Sequence, residues 1–460
     1  MDRSESSDKT LKFTHTSNGL NSLKTLVHKD MKYHRIDKNL FVKNRAKFTA
    51  QMAPNSLAIF NSNDIYPVSA DSTMPFNQHR DIFYLSGVDQ EESVLVLFPD
   101  AFDEKHREIL FLKETSELIA IWEGEKLTKE AAFETAGIKT VFWLDQMESV
   151  MKVLMAQAEN VYLNTNEHTR ANTEVETRED RFIKSFQAKH PAHNYKKSAP
   201  ILHRIRAVKE SEELDLMQNA CNITEKGFRR ILSFIKPGVM EYEIEAELMH
   251  EFLRNRSKGW AYTPIIASGK NACVLHYIEN NQECKDGDVI LMDFGAEYAN
   301  YASDMTRCVP ANGRFTERQK AVYNAVLNVK KNSEKMLVEG TLLHEYHQEV
   351  GKLMESELLG LGLIDQTDIK NQNPDWPAYK KYFMHGTSHF IGLDTHDVGL
   401  WTEPIKEGMV FTCEPGIYIP EENLGIRLED DLVVQKSGEP FNLMKNIPLE
   451  VEEIEDIMNA

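Results

Sequence analysis

The apolar residues of roughly the first 200 positions fall into short runs separated by amphipathic stretches. The runs are SLAIF (56–60), SVLVLF (93–98), REILFL (107–112), TVFWL (140–144) and NVYL (160–163). Helix-like segments such as LTKEAAFETAG and QMESVMKVLMAQ lie between them. Short apolar runs that alternate with helical segments are typical of a three-layer α/β domain. We therefore predict an N-terminal α/β domain built on a mixed sheet with helices on its faces.

The pattern after residue 200 is one of long amphipathic helices and paired strands. One helix is predicted from apolar residues at helical spacing and ends before Pro237 and Gly238. These residues are Met217, Ala220, Cys221, Phe228, Ile231, Leu232 and Ile235. Further helices are predicted over about 241–256 and 343–359, and TERQ (316–319) is a capping box that begins another. Strand pairs are predicted for DVILMDFG with DMTRCVP and for GMVFTCEPGIYI with IRLEDDLVV. This half is predicted to be α+β, with antiparallel hairpins covered by helices.

These patterns divide the chain into three regions. Residues 1–30 are rich in Ser, Thr, Asn and Lys, and we expect them to be a disordered extension. They also lack the apolar stretch of a secretory signal. Residues 31–200 form the predicted α/β domain, and residues 201–460 form the α+β domain. The basic, proline-containing stretch KKSAPILHRIRAVKE is predicted to link them.

Charge and cysteine usage narrow the classes of partner. The 53 basic and 72 acidic residues leave a formal net charge of −19, which disfavours nucleic acid and anionic membrane surfaces as partners. No apolar stretch approaches the roughly 18 to 20 residues that span a bilayer. The cysteines are odd in number and lack the short paired spacings of a metal or redox motif, which favours reduced thiols at Cys221, Cys273, Cys284, Cys308 and Cys413. We expect a cytoplasmic protein.

Two aspartates in LMDFGAEYANYASDMTR (291–307) lie on predicted strands that should face a core. If the hairpin turns near Tyr298 and Ala299, Asp293 and Asp304 are directly opposite, with Cβ atoms roughly 4.5 to 5.5 Å apart. Two like charges at about 4 Å repel by on the order of 4 kcal/mol, so the pair needs a shared proton or a cation. Taken alone, such a pair is more often a solvated loop feature.

Further acids and histidines make a metal site the better explanation. Each one alone is more often an edge carboxylate or a hydrogen-bonded core histidine, but they occur together in one half of the chain: Glu414, Glu429, His276, His385, His389 and His396. Four carboxylates with an imidazole form a hard ligand set that suits manganese, iron(II) or cobalt and tolerates zinc. Bridging carboxylates can hold two ions about 3.5 to 4 Å apart.

The order of these motifs resembles the pita-bread metallopeptidases, and most nearly the aminopeptidase P (Xaa-Pro aminopeptidase) group. The resemblance covers residues 31–460 and rests on DSTMPFNQHRDIFYLSG, IWEGEK, LHYIEN, MDFGAEY, SDMTR, HGTSHFIGLDTHDVG and CEPGIYI. It implies two divalent metal ions, with Mn²⁺ preferred. Asp304 and Glu429 would bridge the ions, Asp293 would complete one, and His389 with Glu414 would complete the other.

The resemblance also implies catalytic roles. Glu414 would act as general base, while His276 and His396 would bind the scissile carbonyl or the oxyanion. His385 would line the pocket for proline, and Arg427 would support the acids. The implied reaction is hydrolysis of the bond between the first residue of a peptide and a proline at the second position.

Alternatives and partners follow from the same resemblance. A prolidase would share the ligands and cleave Xaa-Pro dipeptides, although HGTSH favours aminopeptidase P. A non-catalytic pita-bread peptide-binding module would lose the ligands, and a creatinase-like enzyme would not need metal. Trp122, in IWEG, resembles a family tryptophan that can reach a neighbouring subunit, so we expect a homodimer or homotetramer; core packing is the alternative for this residue.

Two short motifs are set aside. HEYHQ (344–348) resembles part of a zinc motif, but its second histidine comes one position too early to share a helical face, so a solvated helix surface is expected. GLGL (360–363) lacks the following Lys-Ser/Thr and the preceding strand of a phosphate-binding loop, and no phosphate site is predicted.

Overall fold

The N-terminal part of the computed structural model is a six-stranded mixed sheet. The structure describes residues 33–171 and 174–460, so the extension predicted over residues 1–30 lies outside the described residues. The sheet consists of β1 (Ser56–Asn61), β4 (Val94–Leu97), β5 (Glu108–Leu112), β6 (Thr140–Trp143), β7 (Asn160–Leu163) and β8 (Asn194–Lys197), and a short hairpin adds β2 (Pro67–Ser69) and β3 (Ser72–Thr73). The order in the sheet is β6-β5-β4-β1-β7-β8. The predicted mixed sheet is confirmed.

Helices accompany this sheet and close its core. They are α1 (Lys38–Thr49), α2 (Arg80–Ser86), α3 (Glu117–Trp122), α4 (Lys129–Ala136), α5 (Met147–Met155) and α6 (Arg178–Lys189). Leu57 and Ile59 of β1 pack with Leu154 of α5 and Phe186 of α6 in one buried cluster. Burial of this apolar surface drives the layers together.

The stretch predicted to link the two domains contains a helix, α7 (Ala199–Ala207), with Pro200 in its first turn. Proline is accepted there because the first turn does not need its missing N–H. Two basic residues of this stretch, Arg206 and Lys209, are buried against carboxylates, while Lys196, Lys197 and Arg204 are exposed. The boundary at residue 200 stays a prediction, because Lys32–Ala460 group as one unit by their contacts.

The C-terminal part consists of helices around antiparallel strands, as predicted. The helices are α8 (Ser211–Leu232), α9 (Glu241–Arg254), α10 (Glu317–Glu334), α11 (Leu343–Gly360), α12 (Gln366–Lys370) and α13 (Val451–Met458). The strands are β9 (Ile265–Ser268), β10 (Val289–Phe294), β11 (Glu297–Tyr298), β12 (Tyr301–Ala302), β13 (Met305–Pro310), β14 (Val410–Cys413), β15 (Gly416–Ile419), β16 (Leu424–Arg427), β17 (Asp430–Val433) and β18 (Phe441–Asn442). The predicted capping box at Thr316 and Gln319 begins α10.

The first hairpin has a different register from the one predicted. Its turn falls at Ala299 and Asn300, which both have positive φ, and Asp293 lies opposite Thr306 rather than Asp304. A two-residue turn with two positive φ angles matches the twist of the strands, and asparagine tolerates that conformation well. Because the turn lies one position later than predicted, the partner of Asp293 moves by two residues.

The second pair of predicted strands folds as a nested hairpin. The outer strands β14 and β17 pair with each other, and the inner strands β15 and β16 do the same. Glu414 and Pro415 interrupt one side between the two ladders, and Leu428 and Glu429 interrupt the other. Proline cannot donate to a ladder, which explains the break on its side. The nested hairpin therefore brings Glu414 and Glu429 to the same gap.

No helix within residues 33–171 and 174–460 is long and apolar enough to cross a membrane.

Candidate metal centre

Four carboxylates from the two hairpins meet His389 in the C-terminal part. We call Asp293, Asp304, Glu414 and Glu429 the acid cluster. The Nε2 atom of His389 lies 3.5 Å from Oδ2 of Asp304 and 3.6 Å from Oε1 of Glu414. Ligand atoms of Asp304, His389 and Glu429 all lie within 4.8 Å of one another. The structure therefore brings together the residues that the sequence singled out as metal ligands.

Asp293 joins the cluster through Tyr262. The Tyr262 hydroxyl lies within hydrogen-bond distance of Oδ1 of both Asp293 and Asp304. A hydroxyl carries one proton and can satisfy only one of the two carboxylates. The other side of Asp293 accepts a 2.6 Å hydrogen bond from Arg427. Because the two carboxylates share one donor, one of them keeps an acceptor atom that a cation would satisfy.

The electrostatics of the cluster show the same excess of negative charge. Burial, reinforced by the charges of Asp304 and Glu414, raises the pKa of Glu429 well above its usual range. Burial likewise raises the pKa of Glu414 to about 7. Like charges held together out of water disfavour ionisation. Four carboxylates and one contacting guanidinium, from Arg427, leave three negative charges when all the acids are ionised and His389 is neutral. Divalent cations would balance that charge.

The orientation of His389 suits a ligand role. Its Nδ1 atom lies 3.0 Å from the Phe390 carbonyl oxygen, which can only accept a hydrogen bond. The proton on Nδ1 leaves the Nε2 lone pair of a neutral ring directed at the acids. Burial opposes a charged ring, but the carboxylates of Asp304 and Glu414 outweigh that effect and raise the pKa of His389 to about 9. The ring takes up a proton where no metal cation balances the acids.

Arg427 organises the side of the cluster next to Asp293. Besides Asp293, its guanidinium donates to the hydroxyl of Thr306 at 3.1 Å and to that of Tyr418 at 2.8 Å. The Thr306 hydroxyl in turn lies 2.6 Å from Oε2 of Glu429. The same arginine thus contacts one acid directly and a second through a threonine, and its supporting role stays a prediction.

His385 is held by this network. The Tyr418 hydroxyl, which accepts from Arg427, lies 2.7 Å from Nε2 of His385 and donates its proton there. The other ring nitrogen lies 2.7 Å from the Gly386 carbonyl oxygen. Burial lowers the pKa of His385 to about 3. His385 is therefore a neutral, oriented ring, and its Nδ1 is 3.8 Å from Glu414.

The other two predicted histidines lie at different places around the cluster. His396 packs against His389 with ring centroids 4.1 Å apart, and its nitrogens lie 2.8 and 3.0 Å from the Arg170 guanidinium. Loss of solvation, with the nearby positive charges of His389 and Arg170, lowers the pKa of His396 to about 3. His276 is exposed and follows the short helix Gly269–Cys273.

One expectation about the excluded motifs is wrong in part. His344 of HEYHQ is exposed as expected, but His347 is half-buried and accepts a 3.2 Å hydrogen bond from the Thr387 N–H. Thr387 also accepts from the Glu414 N–H at 2.8 Å. His347 therefore supports the loop that carries His385 and His389, rather than a solvated surface. Its place two positions beyond a zinc-like His-Glu pair gave no indication of this contact.

Sequence reasoning missed several supporting residues. The sequence analysis assigned no role to Tyr262, Thr306, Tyr418 or Arg170, although Thr306 lies in SDMTR and Tyr418 in CEPGIYI. Thr306 could have been found from the correct hairpin register, which places it opposite Asp293. Trp122 is 79% exposed on α3, so the core-packing alternative for it is wrong.

Comparison with known proteins agrees with the geometry. Residues 215–436 match the model of metallopeptidase family M24, and residues 41–162 match the aminopeptidase P N-terminal domain. The chain is 34% identical to the Escherichia coli Xaa-Pro aminopeptidase over 92% of its own length and 98% of the relative. Human Xaa-Pro aminopeptidase 3 is 30% identical over 88% of this chain and 82% of its own.

Solved structures show the same fold. An aminopeptidase P structure from Bacillus anthracis superposes with a TM-score of 0.85 at 33% identity, covering 92% of this chain and 99% of the other. Zinc-substituted E. coli aminopeptidase P in complex with product gives 0.82 at 33% identity, covering 93% and 99%. The chain therefore belongs to metallopeptidase family M24, as a metal-dependent peptidase with the two-domain architecture of the aminopeptidase P group.

Proposed function

We propose that this protein is a dinuclear metal aminopeptidase that removes the first residue of peptides with proline at the second position. The observation that carries the proposal is the acid cluster with His389, a largely buried set of four carboxylates and one imidazole in a family M24 chain. Relatives named Xaa-Pro aminopeptidase, matched over most of their length, support the choice of substrate.

The same residues support a two-ion site. We assign Asp304 and Glu429 as bridging ligands, Asp293 to one ion, and His389 with Glu414 to the other. Five ligand residues exceed what one tetrahedral ion needs, and carboxylates can bridge. Oxygen-rich ligands with one imidazole suit Mn²⁺, which we propose as the preferred ion. When bound, such ions polarise a carbonyl and lower the pKa of water.

The chain supplies the groups that handle protons and charge. With 20% of its side chain exposed, Glu414 is accessible from solvent at the rim of the cluster, so it can take a proton from water and pass it to the leaving nitrogen. His396 lies beside His389. We assign it to donate a hydrogen bond to the carbonyl oxygen as charge develops there. We assign the same role to His276.

The pocket for the substrate's proline cannot bind it through a backbone N–H, because proline has none. Proline has no amide hydrogen and a fixed φ, so a site that grips an extended backbone by its N–H fails there. His385, neutral and held by Tyr418, packs edge-on against Phe383 at a 4.9 Å centroid distance. An uncharged ring beside an aromatic side chain is suited to a proline ring, and we assign His385 to that pocket.

We propose further that the protein is a homodimer or homotetramer in the cytoplasm. Trp122 follows the exposed Leu118 and Ile121 on α3, and large apolar residues clustered at a surface indicate an interface. The five cysteines are unpaired and four of them are buried, which fits a reducing compartment. Light scattering measures the assembly, and a monomer would contradict the interface.

The proposed activity is tested with protein stripped by a chelator and then supplied with Mn²⁺. Release of the first residue is measured from an Xaa-Pro-Yaa tripeptide, an Xaa-Pro dipeptide and an Xaa-Ala-Yaa tripeptide. We expect metal-dependent cleavage of the Xaa-Pro-Yaa peptide, strong loss in Glu414→Gln, and full activity in Glu421→Gln, a control at an exposed glutamate.

The three substrates separate the alternatives. Cleavage of the dipeptide alone would identify a prolidase. Equal cleavage of the Xaa-Ala-Yaa peptide would remove the proline specificity. Failure to cleave any peptide with two ions bound would favour the non-catalytic binding module.

A further inference from the structure

A buried group of ion pairs lies beneath the loop that carries His396. Arg206, at the end of α7, has 3% of its surface exposed and contacts three carboxylates, those of Asp81, Asp394 and Asp397. We propose that Arg206 is a positioning residue that holds this loop, and with it the His396 ring, in place at the metal centre. The inference rests on the proposed function, in which His396 contacts the substrate.

Arg206 contacts the loop on both sides of His396. Its Nη2 atom donates to Oδ2 of Asp394 at 3.1 Å and to Oδ1 of Asp397 at 2.5 Å. Asp394 lies two residues before His396, and Asp397 is the residue after it. A single guanidinium nitrogen therefore bridges the two ends of a four-residue segment and fixes its path.

The other end of the guanidinium is anchored in the N-terminal part. Its Nη1 atom donates to Oδ1 of Asp81 at 2.7 Å, on α2. The second oxygen of Asp81 accepts from Asn164 at 3.0 Å, and Asn164 accepts from Ser198 at 2.6 Å, next to α7. Arg206 thus connects the loop that carries His396 to α2, an element outside the hairpins. Through this contact the N-terminal part can set the position of the His396 side chain.

The packing leaves the loop little freedom around this anchor. Lys209 donates to the second oxygen of Asp397 at 3.1 Å. A Cβ atom on Gly392, where the loop begins, would lie 2.3 Å from Oδ2 of Asp397 and 2.8 Å from Nζ of Lys209. The loop backbone therefore lies directly on the ion pairs, and a shift of these pairs displaces the loop.

Arg206 contributes the geometry of its guanidinium more than its charge. Arg80 also donates to Asp394, at 3.0 Å, so three cations (Arg80, Arg206 and Lys209) face three carboxylates and the group is neutral overall. Buried ion pairs of this kind contribute little net stability but define geometry when fully paired. Only the planar guanidinium has donors directed at three carboxylates at once, and a lysine ammonium at position 206 would keep the charge without that span.

The test is a double-mutant cycle between Arg206 and His396 on the Xaa-Pro-Yaa tripeptide. We expect Arg206→Lys to lower kcat on the order of 10- to 100-fold, with KM and bound metal nearly unchanged, since small misplacements of a catalytic group have effects of this size. His396→Ala should lower kcat by at least as much. Because Arg206 acts through His396, adding Arg206→Lys to His396→Ala should cause no further loss.

Arg45→Lys is the matched control. Arg45 is fully buried and donates to the carbonyl oxygens of Leu85 and Ala136 at 2.9 Å each and to Glu108, with no contact to the histidine loop. We expect it to lower stability and leave kcat unchanged. If Arg206→Lys does not fold, Asp394→Asn, at the half-exposed end of the group, replaces it in the cycle and should give a smaller loss of kcat.

Three results would overturn the proposal: full kcat in the variant at Arg206 or Asp394, an equal loss in the His396→Ala background, or full activity of His396→Ala itself. An NMR measurement of the His396 side-chain signal is independent of turnover. The signal should shift in Arg206→Lys and not in Arg45→Lys. A wild type inactive on all peptides would defeat the proposed function, while the NMR result would still decide whether Arg206 positions the ring.

Discussion

Thr306→Val isolates one hydrogen bond to the metal centre. The Thr306 side chain is fully buried, and its hydroxyl donates to Oε2 of Glu429 at 2.6 Å. Valine keeps the shape and removes the donor. With metal bound, Glu429 is an ionised ligand, and a hydrogen bond to a charged group contributes about 1.5 to 3 kcal/mol. Without metal, burial and the neighbouring acids raise the pKa of Glu429 well above its usual range and so favour the neutral carboxyl.

The expected change in Mn²⁺ affinity follows from the difference between the metal-bound and metal-free states. A hydrogen bond from Thr306 to the neutral carboxyl is worth about 0.5 to 1.5 kcal/mol, less than one to the ionised ligand. Loss of the bond from Arg427 to the Thr306 hydroxyl, at 3.1 Å, affects both states and largely cancels. The metal-bound state thus loses about 1 to 2 kcal/mol more, so the affinity for Mn²⁺ should fall on the order of 10-fold, at about 1.4 kcal/mol per factor of ten.

The assay is a Mn²⁺ titration of chelator-stripped protein by calorimetry, beside urea unfolding of the metal-free form. Thr224→Val is the control, because Thr224 is equally buried and makes only neutral hydrogen bonds, to the Ala296 N–H at 2.9 Å and Ser303 at 2.8 Å. We expect both variants to lower the stability of the metal-free form and Thr306→Val alone to weaken metal binding. Equal metal affinity in the two variants would refute the reasoning.

Three further changes test other parts of the structure. Burial raises the pKa of Glu179 from 4.5 to about 8, so folding takes up a proton and the free energy of unfolding falls as pH rises through that window. Between pH 5 and 8 the free energy of unfolding, measured with urea, should fall by up to about 4 kcal/mol less in Glu179→Gln than in the wild type. An equal fall in both proteins would contradict this. Tyr418→Phe removes the hydroxyl between Arg427 and His385; kcat/KM on the Xaa-Pro-Yaa tripeptide should fall on the order of 10-fold at unchanged metal content, and full activity would show that His385 needs no such support. Ala299 has a φ of 54°, which glycine adopts without strain. Ala299→Gly should therefore raise the free energy of unfolding by about 0.5 to 1 kcal/mol, measured as a higher urea midpoint. A lower midpoint would mean that the turn is unstrained.

Local patterns were enough to predict the fold class, because the periodicity of apolar residues depends on neighbouring residues. The ligand assignment rests on the order of motifs along the chain and stays a prediction. The capping box at Thr316 and the strand runs are confirmed within a residue or two. The register of the first hairpin was wrong because it depends on which two residues adopt positive φ, and Ala299 is an unusual residue for that conformation.

Contacts between distant parts of the chain could not be predicted in the same way. The basic stretch around Arg206 was interpreted as a linker, because Asp397, the acid that pairs with this buried arginine, is 191 residues away. Thr306 and Tyr418 likewise gain their roles only when strands from two hairpins meet. A polar residue in a strand carries no local sign of the carboxylate or histidine that it will contact.

The most direct test of the account is the number of divalent ions held by the acid cluster. Chelator-stripped protein is dialysed to equilibrium against Mn²⁺, and bound metal is measured by elemental analysis for the wild type and for Asp304→Asn. We predict two ions per chain in the wild type and at most one in the variant, since Asp304 is assigned to both. Two ions retained in Asp304→Asn, or fewer than two in the wild type at saturation, would contradict the central claim.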